Sequence, residues 1–336
     1  MIVELGSESR LAFAMVSHPR LGAASLLCEL DENIVRMVVE LTTHTTRVIR
    51  EMQPGDCFEV GPSEGSWAPR YVAVDWLGHI VVSDYDNHEV KVFKGEDGSL
   101  MRSVGEPGNQ EGQLSHPLGI AVSREGNFVV ADSRNHRLQI FGRDGSFVRT
   151  IGCKGQQEGE LQFPMGVAVD LAGNIAVADW GNNRIQIFDA DGRFQRAFGR
   201  LGAGDGELKC PSGVAWNDEG TALVVADGQN HRVQVFEADG THKCSIRHPE
   251  SDGGDSPGEL NGPMGIAVDS SGNIVVADKN DRVQVIRQDG TFIHAVGRNG
   301  RGPGELHGPG GVAVDGAGNI VVADCKNRRV QVFSRP

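Results

Sequence analysis

FPMGVAVDLAGNIAVADWGNNRIQIFDADGRFQRAFGRLGAGDGEL, residues 163–208, holds four short apolar runs separated by turn residues. The first, G-V-A-V, ends at Asp170 and a Gly173-Asn174 turn. I-A-V-A-D follows, then a polar loop, then R-I-Q-I-F, and Asp191-Gly192 turns into the fourth run. Runs of this length punctuated by turn dipeptides describe a meander of strands rather than helices. Asp-Gly suits a tight hairpin because its central residues need positive φ.

The same stretch recurs along the chain. The aspartate closing its V-A-D returns as Asp84, Asp132, Asp179, Asp227, Asp278 and Asp324, and the opening proline as Pro69, Pro117, Pro164, Pro211, Pro263 and Pro309. The period is about 47 residues, within the range of repeat architectures. Six four-stranded units of that size match the blades of a β-propeller. The sixth unit reaches Pro336 just after its third strand, Arg329 to Phe333, so its outermost strand must come from elsewhere. Residues 56–69, DCFEVGPSEGSWAP, align with the fourth strand and linker of the other units, Phe58 and Gly61 taking the places of Phe147 and Gly152. A strand lent from the front of the repeats would join the two ends of the array in one sheet and remove an open edge. The expected fold is all-β, a closed six-bladed propeller over 56–336, preceded by an extension over 1–55.

Composition agrees with this reading. Of 336 residues, 46 are Gly and only 6% are aromatic, so the interior must be built from small aliphatic side chains. The net charge of −13 argues against broad attraction to polyanions, and DNA is not an expected partner. Cys28, Cys57, Cys153, Cys210, Cys244 and Cys325 contain no C-x-x-C pair and read as free thiols. The apolar patch from Leu11 to Val16 is short for a signal-peptide core, and no N-x-S/T acceptor occurs, so a cytoplasmic protein without membrane association is expected. In the extension, Ile34, Val38, Leu41, Thr45, Val48 and Met52 would form one seam of an amphipathic helix, which reads as a short coiled coil or as a helix packed on the propeller, with disorder as the alternative.

The units read P-x-G-[VI]-A-V-[DS]-x-x-G-N-[IF]-x-V-A-D-x-x-N-[HNR]-R-[VIL]-Q-[VI]-F and resemble the NHL repeat, with Asn135-His136-Arg137-Leu138 close to its namesake tripeptide. Linkers ending G-E-L, as at Gly159-Glu160-Leu161 and Gly304-Glu305-Leu306, are similar to those of animal tripartite-motif (TRIM) NHL proteins. In that family the propeller is a C-terminal recognition domain for proteins or, in several members, RNA. The resemblance does not bring ubiquitin-ligase chemistry with it. The paired Cys/His zinc ligands of a RING or B-box have no counterpart in these residues, and the chain reads as a substrate-selecting portion, a fragment or a stand-alone propeller.

The pairs Asp132/Arg137, Asp179/Arg184, Asp227/Arg232, Asp278/Arg282 and Asp324/Arg329 recur too regularly for catalysis and read as structural bridges. His88, His136 and His231 share one slot and read either as converging metal ligands or as hydrogen-bonding residues within their own loops. The second reading is favoured, and neither metal nor cofactor is expected. No G-x-S-x-G, H-E-x-x-H or phosphate-cradling loop occurs, so no catalytic residue is assigned, and a propeller lyase or hydrolase with an axial metal stays as the enzyme-class rival. Recognition should use the positions that vary between units, on the face shared by the linkers and the loops between second and third strands. The candidates for binding protein partners are Arg70, Tyr85, Leu118, Arg134, Met165, Trp180 and Met264. Acidic side chains outnumber basic ones on that face, which favours protein over RNA, while Lys279, Arg298, Arg301, Lys326 and Arg328 form a sector around blade six that could seat RNA. The long linker from Arg247 to Gly262 reads as a mobile acidic loop.

Overall fold

The computed structural model describes residues 57–61, 67–247 and 254–335. The helical seam of the extension and the centre of the linker between Arg247 and Gly262 lie outside the described residues.

Each unit forms one four-stranded antiparallel sheet, and six such sheets follow one another. In the third, Pro164–Val169, Ile175–Asp179, Arg184–Phe188 and Phe194–Phe198 run in order from the axis outward. The first strand is kinked just after its proline: Pro164 pairs with Asp179, and the register then slips before Val167 meets Val177. That slip lifts the residue after the proline out of the sheet, so Arg70, Met165 and their equivalents come to the face where the second strand ends.

Six apolar clusters hold the ring, each straddling two neighbouring blades. Between blades 2 and 3, Val129, Leu138 and Ile151 pack on Val167, Val177 and Phe188. The ring closes as the sequence indicates. Cys57–Val60 pairs antiparallel with Arg329–Phe333, Val60 opposite Val330 and Cys57 opposite Phe333. This register corrects one detail of the alignment: Phe58 lies opposite Val332 as Arg149 lies opposite Ile140, and Cys57 takes the place of Phe147. Phe58 and Val60 pack toward blade 1, on Val72, Ile80 and Phe93, while Cys57 packs back toward blade 5.

The recurring P-x-G has a packing reason. A Cβ on Gly119 would stand 2.1 Å from the Met165 carbonyl oxygen of the next blade, and one on Gly311 would stand 2.5 Å from the Tyr71 Cα. The innermost strands thus approach backbone to backbone on the side of the prolines. Blade 1 alone carries a large side chain there, Tyr71, which reaches across the axis and donates its hydroxyl to the Ser212 carbonyl of blade 4 at 2.8 Å. Burial pushes the Tyr71 phenol well above the ordinary range. Beyond it lies an axial channel of about 520 Å³, walled by the Val-Ala-Val, Ile-Ala-Val and Val-Ala-Trp segments of the six innermost strands and opening past Asp170, Asn217 and Asp218.

Candidate recognition face

The aspartate, asparagine, arginine and glutamine of each repeat form one clasp between a blade and its preceding linker. In blade 3, Asp179 accepts hydrogen bonds from the Gln162 backbone N–H (2.7 Å), Asn182 Nδ2 (2.9 Å), Arg184 Nε (2.8 Å) and Gln186 Nε2 (3.0 Å). Arg184 in turn donates to the carbonyls of Gln157 and Glu160, and Asn182 to that of Gly155. A buried carboxylate with four donors is fully satisfied, so the Asp/Arg pairs are structural. They also hold the linker against the loop between second and third strands, the Gly181 N–H meeting the Gln162 carbonyl at 2.8 Å. Linkers and loops therefore do share one face. Blades 1 and 5 depart from the pattern: in blade 1 Glu89 stands in the arginine slot and Lys91 bonds both Asp84 and Glu89, and in blade 5 the Asn280 backbone N–H, rather than the linker's, donates to Asp278.

His88, His136 and His231 neither converge nor act within their own loops. Each Nδ1 accepts a backbone N–H from the next linker, that of His116 (2.9 Å), Phe163 (3.1 Å) and Gly262 (3.0 Å) respectively. Asn183 Oδ1 does the same for Cys210 (2.9 Å) and Asp281 Oδ1 for Gly308 (2.5 Å). In five blades the slot is an acceptor latch, which is why His, Asn and Asp alternate there, while in the sixth Arg328 accepts the Trp67 indole N–H on its backbone carbonyl at 2.6 Å. Among the described residues no group of three or more His, Cys, Asp or Glu could hold a metal ion.

A latch made by imidazole fails when protonated, because Nδ1 then carries a hydrogen. Burial, then the Lys154 charge, lowers the His136 pKa from 6.5 against the opposing pull of Asp179. The unfolded chain therefore takes up the proton first, and this contribution to stability is present above 6.5 and declines as pH falls below it. His136→Asn, which copies Asn183, is expected to match the parent at slightly alkaline pH and to lose less stability under mild acid, as read from urea midpoints across pH.

The candidate residues fall into distinct environments. Leu118 and Met165 are half-buried against the core between blades 1 and 2, and Met264 is half-buried near the axis. Tyr85 is half-buried, with the exposed Arg70 guanidinium 4.7 Å over its ring and the His116 ring edge-on at 4.6 Å. Trp180 meets Phe163 at 6.5 Å, and Phe163 meets His136 at 4.3 Å. His116 and Phe163 are not among the sequence candidates, yet His116 joins Tyr85 to His88, and Phe163 joins Trp180 to His136. Arg134 is exposed beside His116. In the blade-six sector Arg298 is tied to Glu305 at 3.1 Å, while Lys279, Arg301, Lys326 and Arg328 are exposed. Cys57, Cys153, Cys210, Cys244 and Cys325 are free thiols, and no helix among the described residues is long and apolar enough to cross a membrane.

Comparison with known proteins agrees with the geometry. The NHL repeat model matches residues 68–93, 114–141, 161–188 and 306–333, and the SMP-30/Gluconolactonase/LRE-like region model matches 200–303, across blades 4 and 5. Protein brain tumor of Drosophila melanogaster is 33% identical over 88 residues, 25% of this chain and 8% of its own length. B-box type zinc finger protein ncl-1 of Caenorhabditis elegans is 51% identical over 39 residues, 12% of this chain and 5% of its own. The matches thus span a small part of both relatives. Among solved structures, a streptogramin B lyase superposes with TM-score 0.60 at 13% identity, covering 82% of this chain and 96% of its own. A catalytically inactive virginiamycin B lyase from Staphylococcus aureus with quinupristin gives 0.61 at 14%, covering 84% and 99%. At such identity the likeness is one of fold alone. Sequence motif, sheet order and family match together make this a six-bladed β-propeller in which blades 1, 2, 3 and 6 match the NHL repeat, similar over those parts to Protein brain tumor and ncl-1.

Proposed function

We propose that the propeller is a non-catalytic platform that recognises protein partners in the cytoplasm through the face of linkers and second-to-third-strand loops, as the substrate-recognition domain of a TRIM-type ubiquitin ligase does. The observation that carries this reading is a pair of aromatic clusters on that face, Arg70, Tyr85 and His116 where blade 1 meets blade 2, and His136, Phe163 and Trp180 where blade 2 meets blade 3. Aromatic and arginine side chains of this kind supply most of the energy of protein interfaces. The face is held rigid by clasps and latches, so little ordering cost opposes binding.

RNA recognition is the second reading, favoured by the exposed Lys279, Arg301 and Lys326. It ranks lower because Arg298 is already paired with Glu305 and acidic side chains prevail over the face. A propeller enzyme ranks third: the channel walls are mainly aliphatic, and its only carboxylates, Asp170 and Asp218, stand together at one side of the mouth with no histidine, cysteine or serine among the lining residues.

Affinity capture with the full chain, with and without nuclease, separates the readings. Proteins retained after nuclease and lost with Trp180→Ala are expected. Capture that vanishes entirely with nuclease would favour RNA.

A further inference from the structure

The end of the axial channel away from the recognition face breaks the regularity of the repeat on one side. Five innermost strands finish on valine, at 74, 122, 169, 268 and 314, and the fourth blade's finishes on Trp216. Blade 3 makes room for it: Ala176 stands where the other second strands carry Val, and the indole packs there with Ala168 and Phe236. Trp216 lines the channel and is 8% exposed, and its indole N–H has no acceptor among the described residues. A buried tryptophan placed for packing alone ordinarily finds one.

The turn that follows differs as well. Asp75, Asp170, Asp269 and Asp315 cap their own turns, each accepting two backbone N–H groups. In blade 4 Asn217 takes that task, which leaves Asp218 exposed and unpaired among the described residues. Asp170 and Asp218 line the mouth together, with Leu171, 68% exposed, beside Asp170. Around them the balance of charge is negative. Glu125, Asp218 and Glu219 are exposed on the six turns against Arg124 as the one exposed base, and His79 is bonded to Asp75. The hairpins farther out also carry more acid than base.

At the opposite end Tyr71 crosses the axis and the P-x-G backbones close in, so the channel is entered from the turns. Its volume of about 520 Å³ is that of an ordinary small-molecule site. The wall is apolar, and the only charges that line it, both negative, stand at the rim. An anion would be repelled there, and a bare divalent ion would find too few oxygens to replace its water. A cation with an apolar body meets both halves of the site.

We propose that this well binds an amphiphilic organic amine, its alkyl or aryl body among the Val, Ala and Trp216 side chains and its ammonium at the rim with Asp170 and Asp218. The site lies on the face opposite to the one assigned to protein partners and does not depend on that assignment.

The test is isothermal titration of the full chain with primary alkylamines and with phenethylamine, the alcohols and carboxylic acids of the same bodies serving as controls. Affinity for the amines is expected to rise about three-fold with each added methylene until the chain outgrows the well, with the alcohols weaker and the carboxylates without binding. Asp218→Asn changes an exposed side chain that holds nothing in the fold, and should weaken the amines at least about three-fold at low salt while leaving the alcohols unchanged. Ala267→Leu narrows the wall from a half-exposed position and should weaken long amines more than short ones. Trp180→Ala, on the recognition face, should change nothing. No binding of any amine, equal binding of amine and carboxylate, or loss with Trp180→Ala would overturn the proposal, as would parent affinity in Asp218→Asn or, with an unchanged thermal midpoint, in Ala267→Leu.

Discussion

Val60→Asp is expected to cost about 4 kcal/mol or more of the propeller's stability, while Glu59→Ala, one residue earlier on the same strand, should change it by less than about 1 kcal/mol. Val60 is 2% exposed and stands opposite Val330 in the sheet that seals the ring. Its side chain packs on Val72, Ile80 and Phe93 of blade 1, so a carboxylate there would be an unpaired charge inside the seam between first and last blades. Glu59 points the other way and reaches Arg329 across a half-exposed surface, a contact of the weak kind. Nothing covalent fixes this strand in register, unlike the Asp-Gly hairpins elsewhere. A one-residue slip would exchange the two side chains between faces and reverse the two effects. Urea unfolding of both variants in the full chain reads the difference, and equal midpoints would mean that the seam does not bear on stability.

That missing hairpin also explains what the sequence could and could not yield. Matching Phe58 to Phe147 follows residue likeness, but the fourth strand of an ordinary blade is tied to its third by a hairpin and carries a bulge near the turn, as between Ile140 and Phe141. The donated strand has no such tie and no bulge, so Cys57 comes to the phenylalanine site. The latch was hidden for another reason. Its donor is a backbone N–H, which leaves no trace in residue identity, and only the exchange of His136 for Asn183 and Asp281 in one slot hints at a shared acceptor. Tyr85 and Trp180 were legible as breaks in the repeat. Phe163 and His116 carry no such sign in the sequence, because their positive φ is disclosed only by comparison with the glycines at 262 and 308. Leu118 and Met165 look like exposed anchors in sequence, yet both are half-buried, packed against the core between blades 1 and 2.

The second large effect is expected in blade 4, where Asp227→Asn should cost about 3–5 kcal/mol and more than Asp179→Asn in blade 3. Both aspartates hold the same four donors, and in both clasps the guanidinium donates to two linker carbonyls. The difference is water. The Arg184 side chain keeps 14% of its surface exposed, whereas Arg232 keeps 1%. In blade 3 a guanidinium robbed of its carboxylate can turn an edge to solvent. In blade 4 it stays bonded to the Gly204 and Glu207 carbonyls, at 2.7 and 2.8 Å, with only the mostly exposed Asp205 carboxylate, 3.9 Å away, left to offset its buried charge. Asn keeps the volume and one acceptor, so the loss reports charge and donor clash rather than a cavity. Replacing both partners by apolar residues, as in Asp227→Leu with Arg232→Met, removes the stranded cation and should recover part of the loss. Because the same arginine pins the linker that leads to Cys210, amide exchange at residues 204–209 should rise in Asp227→Asn more than stability alone accounts for. Equal losses for the two single variants, or no recovery in the double one, would show that burial of the arginine does not set the strength of the clasp.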